Sequence, residues 1–186
     1  MRALVVYESM FGNTRKVAEA IGAGLRSCDN VEVAPVGEVT PEMLADVDLL
    51  VVGGSIHAWN LSRPPTRQSA VATAHKPDSG LTLEPDADGP GLREWFASIG
   101  ELSCRAVAFD TRIKIPAALS GRAAKGIGRR LRQRGCTPAA KSESFFVSKA
   151  NQLLPGEEER ARAWGARLAG VPSPRWPGAR PIEGAR

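Results

Sequence analysis

Cysteine and histidine are scarce: three Cys and two His in 186 residues. Cys28, Cys104 and Cys136 are far apart in sequence and odd in number. They form neither a Cys-x-x-Cys pair nor a metal-ligand spacing, which speaks against a zinc site or a thioredoxin-like motif. Free thiols in a reducing cytosol are the expectation, not a structural disulfide. His57 and His75 have no evident triad partner, and no Gly-x-Ser-x-Gly elbow occurs, so a serine or cysteine hydrolase has no support. No apolar stretch is long enough to span a bilayer. Met1-Arg2 leads directly into an apolar run, leaving no room for a signal peptide; the expected location is cytoplasmic. Acidic residues are outnumbered, 20 Asp+Glu against 25 Lys+Arg, for a formal net charge of +5. Two common phosphate-binding signatures are absent as well: a Walker A Gly-Lys-Ser/Thr and a Gly-x-Gly-x-x-Gly dinucleotide fingerprint.

What the chain does have is a sharp junction near its start. The apolar run Leu4-Val5-Val6-Tyr7 stops in Glu8-Ser9-Met10-Phe11-Gly12-Asn13-Thr14. A helical pattern follows at once, with Val17, Ile21 and Leu25 about one turn apart. This reads as a buried strand, a tight loop and a helix N-terminus. Such a junction gathers free backbone N–H groups and the positive end of the helix dipole, which suits a phosphate. Ser9, Asn13 and Thr14 add short polar side chains, and Gly12 lets backbone approach a ligand.

The rest of the chain alternates strand and helix patterns. Residues 2–7 read as strand one and 13–27 as helix one. Val31-Glu32-Val33-Ala34-Pro35-Val36 reads as an edge strand because of its proline. Thr40-Pro41-Glu42 starts a short helix, with Thr as N-cap and Pro at the first position. Leu49-Leu50-Val51-Val52-Gly53-Gly54 is a continuous apolar run, as in a central parallel strand. Residues 55–65 read as a loop; 68–90 as a partly helical start and then an irregular acidic loop with Asp78, Glu84, Asp86 and Asp88. Residues 92–99 read as helix, 105–109 as strand four, 120–134 as helix, 142–148 as strand five and 157–169 as the last helix. Five strands alternating with helices mean a doubly wound α/β fold with a parallel sheet, order 2-1-3-4-5. One domain over 1–170 is expected, followed by a loose Pro/Arg-rich tail over 171–186.

Tyr7-Glu8-Ser9-Met10-Phe11-Gly12-Asn13-Thr14 resembles the FMN-phosphate loop of the flavodoxin family, with Phe11 where many members carry Thr. The Gly53-Gly54-Ser55-Ile56-His57-Ala58-Trp59 and Phe109-Asp110-Thr111-Arg112 segments look like those of short-chain flavodoxin-like proteins of actinobacterial type. Folds of this strand order, flavodoxin among them, hold their ligand in a crevice between the C-terminal ends of strands one and three, and the resemblance implies the same here. The resemblance implies that Ser9, Met10, Phe11, Gly12, Asn13 and Thr14 hold the FMN phosphate. It implies a backbone-lined wall at Gly53, Gly54, Ser55 and Ala58, with Trp59 stacked on the ring and His57 near its edge. By topology it gives Asp110, Thr111 and Arg112, in a loop after strand four, to the pyrimidine side. A cation there, from Arg112 or Lys114, would favour the reduced, anionic flavin.

Three functions follow from these readings. The first is an FMN-binding electron-transfer protein. The second is an FMN-dependent reductase that takes NAD(P)H and a quinone. The third is a cofactor-free interaction module on the same fold. The flavodoxins best known as electron carriers are acidic, so a chain of pI ≈ 9.5 calls for a redox partner that differs from theirs or is itself acidic. Arg122, Lys125, Arg129, Arg130, Arg132 and Arg134 offer a basic helix face for it. No aromatics are interleaved with these charges, so a specific nucleic-acid partner is not expected.

Overall fold

A parallel sheet buried on both faces needs strands that are apolar throughout. The computed structural model, which describes residues 1–55, 61–115 and 122–170, shows this pattern. In β1 (Arg2–Glu8) and β3 (Leu49–Ser55) nearly every residue is buried. The order of elements is β1, α1 (Asn13–Gly24), β2 (Asn30–Pro35), a 3₁₀ turn (Val36–Glu38), α2 (Pro41–Leu44), β3 and α3 (Pro64–Ala74). Then follow α4 (Leu92–Ser98), β4 (Arg105–Ile113), α5 (Ala123–Gln133), β5 (Thr137–Pro138), β6 (Glu143–Val147) and α6 (Glu157–Ala169). All strand pairs are parallel, in the order β2-β1-β3-β4-β5, with β6 also paired to β4.

The expected topology is therefore present, with two changes at its far side. Strand five is split: β5 pairs with Arg105-Ala106 and β6 with Phe109–Ile113. Pro138, which has no N–H, ends the first piece. Strand four is longer than its apolar run, because β6 continues the ladder as far as Ile113. At the other side, Pro35 closes edge strand β2, and Thr40 accepts from the Met43 N–H at 3.4 Å to start α2, with Pro41 at its first position.

The two faces of the sheet carry separate cores. One gathers Leu4, Val6, Leu50, Val52, Ala106 and Ala108 with Leu92, Trp95 and Phe96 of α4 and Ala123, Ile127 and Leu131 of α5. The other gathers Val5, Val51, Val107 and Phe109 with Val17, Ile21 and Leu25, and with Phe145, Trp164 and Leu168. Here α1 and α6 cross at backbone distance. A Cβ on Gly165 would stand 2.3 Å from the Ile21 carbonyl oxygen, and one on Gly24 would stand 2.1 Å from the Arg162 carbonyl oxygen.

That crossing makes a prediction. Alanine at a helical glycine gains about 1 kcal/mol of propensity. The added methyl at Gly165 meets rigid backbone, and overpacking of that kind costs about 1–3 kcal/mol or more. Gly165→Ala should therefore lower the urea midpoint, whereas Gly170→Ala, whose nearest neighbour would be at 3.6 Å, should not.

Candidate functional site

The register of β1, β3 and β4 aligns Glu8 with Gly54 and Gly54 with Asp110, so the strand ends form one edge. At this edge β1 turns into α1 through Ser9–Gly12. Gly12 has φ +84°, a left-handed conformation that L side chains resist. Its N–H donates to Ser9 Oγ at 3.1 Å, and its carbonyl accepts from Lys16 at 3.0 Å. No side chain caps α1 and no acid lies in its first turn. The leading N–H groups of Asn13, Thr14 and Arg15 have no intrahelical acceptor by the geometry of a helix. Together they make an electropositive, donor-rich end.

The loop side chains are held from below and from the side. Thr14 Oγ1 and Thr111 Oγ1 share a buried hydrogen bond of 2.8 Å. Asn13 Nδ2 donates to the Asn151 carbonyl at 2.9 Å and to Asn151 Oδ1 at 3.1 Å. Met10 is buried, and Phe11 is partly exposed. One of the Thr14/Thr111 hydroxyls has a proton to spare for another acceptor, and so does Ser9, whose oxygen accepts from Gly12.

Gly53 and Gly54 have a reason of their own. A Cβ on Gly53 would lie 2.0 Å from the Phe109 ring, and one on Gly54 would lie 2.9 Å from Leu92 Cδ1. Core packing beneath the edge therefore demands glycine at 53, while at 54 an added Cβ would press on the terminal methyl of Leu92. Ser55 ends β3 and is half-buried. His57, Ala58 and Trp59 lie outside the described residues.

Asp110, Thr111 and Arg112 are in β4, not in a loop after it. Asp110 is fully buried and its Oδ2 accepts the Ala124 N–H at 2.8 Å, capping the start of α5. Burial pushes its carboxyl above the usual carboxylate range; the Ala124 N–H, Ser144, Arg112 and Arg122 pull the other way. Thr111 braces Thr14. The Arg112 guanidinium lies 4.9 Å from the Phe146 ring centroid and donates to the Ile115 carbonyl at 2.8 Å. Lys114 Nζ approaches the same ring at 5.9 Å.

Two carboxylates that motif reading passed over help to shape this edge. Glu8 is buried, and its Oε2 accepts the Leu92 N–H at 2.8 Å. It thereby supplies the cap that Gly91 cannot give α4. Nearby, Arg67 donates to Ser62 Oγ at 2.9 Å and pairs with Glu94 at 3.2 Å, tying α3 to α4. Glu84 comes from the acidic segment after α3. Its N–H donates to the Met10 carbonyl at 2.9 Å, and its Oε2 pairs with Arg15 Nε at 2.8 Å. Its Oε1 would be 3.0 Å from a Cβ on Gly12. The acidic segment therefore lies against the donor-rich loop. Tyr7 registers the same closeness: burial, and then Asp86, push its phenol up to about 12. The signal for Glu84 was an acid in a segment without periodicity, which carries no address in sequence.

The raised pKa of Asp110 has a consequence for stability. Between its unfolded value and its higher folded value, the native state binds more protons, so this group's contribution falls as pH rises through that window. Asn at this position keeps an acceptor for Ala124 and removes the buried charge. Asp110→Asn should therefore be more stable than the parent at pH 7, with the gap closing as pH is lowered toward 4, measured by urea unfolding across pH.

The flavodoxin domain model matches residues 4–65. No curated protein matches the chain in sequence. Among solved structures, a flavodoxin from the domain Archaea aligns at 21% identity and TM-score 0.58, over 91% of this chain and 96% of its own. Flavodoxin 1 from Bacillus cereus aligns at 17% identity and TM-score 0.60, over 90% of this chain and 97% of its own. A flavodoxin, WrbA-like protein from Agrobacterium tumefaciens aligns at 18% identity and TM-score 0.57, over 91% and 96%. At such identities the structures speak for the fold, and the domain match falls on the loop just described. The strand order, the domain match over residues 4–65 and these likenesses agree: the chain has a flavodoxin-like fold.

Proposed function

We propose that this chain binds FMN at the β1–α1 junction and passes electrons between redox partners. The observation that carries the reading is the N-terminus of α1, without a side-chain cap or an acid in its own first turn, beyond a left-handed Gly12 at the C-terminal edge of a doubly wound sheet. When bound, FMN supplies one- and two-electron redox chemistry. The chain's own task is to bind and to tune. The N–H groups of Asn13, Thr14 and Arg15, with the Ser9 and Thr14 hydroxyls, take the phosphate. Trp59, His57 and Ala58 keep the ring-side roles that the family resemblance gives them. Arg112 and Lys114 bring positive charge to the end of β4 beside Phe146.

The surface of α5 suits an acidic partner. Its buried stripe is Ala123, Ala124, Ile127 and Leu131. Arg129, Arg130 and Arg132 project from the rest, and Arg93 comes up beside Arg130. A hollow of ≈ 390 Å³ lies between Arg93, Phe96, Arg130 and Arg134. Burial, and then Arg93 and Arg129, hold Arg130 below the ordinary arginine range. Like charges crowded in this way favour an anionic surface. Electron exchange with an acidic partner should slow as ionic strength rises, read by stopped-flow over a salt series.

Glu84 opposes the phosphate. An anion brought near a second anion within several ångströms at the protein surface loses about 1 kcal/mol, roughly five-fold in affinity. The expected outcome is that purified protein retains FMN after desalting, prefers it to riboflavin, and binds it more tightly as Glu84→Gln. Visible spectra and a fluorescence titration check all three. Equal retention of FMN and riboflavin would remove the phosphate loop from the account. Retention of neither would favour the cofactor-free module. Consumption of NAD(P)H with a quinone, without a second protein, would make the chain a reductase.

A further inference from the structure

Cys104 and Cys136, separated by 31 residues in sequence and expected to be independent thiols, are neighbours in the fold. Their sulfurs are 3.6 Å apart. The cause is the parallel ladder: Arg105 pairs with Thr137, so each cysteine directly precedes a paired residue. The Thr137 N–H donates to the Cys104 carbonyl at 3.0 Å, locking that alignment. Adjacent strands run about 4.8 Å apart, inside the Cα range of roughly 4.4–6.8 Å that a disulfide accepts. Closing the sulfurs to a bond needs a movement of about 1.5 Å.

We propose that Cys104 and Cys136 form a redox-active dithiol that closes to a disulfide by exchange with an anionic low-molecular-weight disulfide. One thiolate of the pair attacks a sulfur of the reagent, and the reagent's other half leaves as a thiolate. The neighbouring protein thiolate then attacks the protein sulfur of the mixed disulfide and expels the second half. Two protein thiols are oxidised, one small disulfide is reduced to two thiols, and the two protons leave with them.

The surroundings favour this reaction. Cys104 is half-buried, which leaves an approach, and Cys136 is buried against α5. A water-sized hollow of ≈ 30 Å³ lined by Cys136, Leu131, Arg132 and Pro138 adjoins the pair. The positive charge of Arg132 and its helix neighbours draws an anionic reagent. The hydrogen bond from Cys104 lowers the Cys136 thiol below its ordinary value, and the same bond, with burial, raises Cys104. Exposure makes Cys104 the sulfur that the reagent reaches, and the lowered thiol of Cys136 suits it to resolve the mixed disulfide. Cys28 packs with the core on the opposite sheet face, and burial raises its thiol; it serves as an internal control. The bridge would clip the C-terminal end of basic helix α5 to the start of β4.

The test is to incubate the folded, full-length protein with glutathione disulfide, quench in acid, alkylate and map peptides by mass. The expected result is a linked Cys104–Cys136 peptide, with Cys28 alkylated and no glutathione retained. In Cys136→Ser the reaction should stop at a glutathione adduct on Cys104. Alkylation of all three cysteines in the parent protein would overturn the proposal, as would glutathione persisting on Cys104 or Cys136. The parent protein decides the matter even if the variant fails to fold.

Discussion

The left-handed backbone at Gly12 ends β1 and starts α1 without supplying a side-chain cap, and the site depends on what that leaves open. A helix start buried without partners is costly. Hydrogen bonds around the junction fix its side chains: Ser9 takes the Gly12 N–H, Thr111 holds the Thr14 hydroxyl, and Asn151 holds the Asn13 amide. The same supports hold the loop in place beneath the leading N–H groups of α1. Thr111 is where it is because β4 pairs with β3 in register, and Asn151 because β6 extends that ladder. The sheet therefore reaches the site through a few short hydrogen bonds.

The acidic segment after α3 gives this edge its particular character. It is anchored at both ends by buried polar contacts: Arg67 with Ser62 and Glu94, and Glu8 on the Leu92 N–H. Between those anchors Glu84 is brought against the loop and engages Arg15. A single carboxylate thus stabilises the segment's docking and places negative charge beside the first turn of α1.

Much of the fold was legible because periodicity reports burial directly. Leu49–Val52 could be only a buried strand, and Val17, Ile21 and Leu25 only the inner face of a helix. Strand four was misjudged in length because Asp110 and Arg112 break the apolar run; pairing with β6 holds them in the ladder, with Asp110 capping α5 and Arg112 covering Phe146. The strand-to-helix junction at Ser9–Gly12 was legible because its pattern is local. Glu8 and Glu84 were not, because their partners Leu92 and Arg15 lie 84 and 69 residues away in sequence. Gly53 and Gly54 read both as the close of a central strand and as a ligand wall, whereas the Phe109 ring packed against Gly53 is not visible in the sequence. The pairing of Cys104 with Cys136 is fixed by the β4–β5 register, which no spacing rule reports.

The central claim is that the first N–H groups of α1 receive an anion. The most direct measurement is an amide NMR titration of the protein with FMN and, separately, with riboflavin. The account predicts large shifts and slowed hydrogen exchange at Asn13, Thr14 and Arg15 with FMN, and far smaller changes at these amides with riboflavin. Unchanged amides at these three positions with FMN bound elsewhere would contradict it.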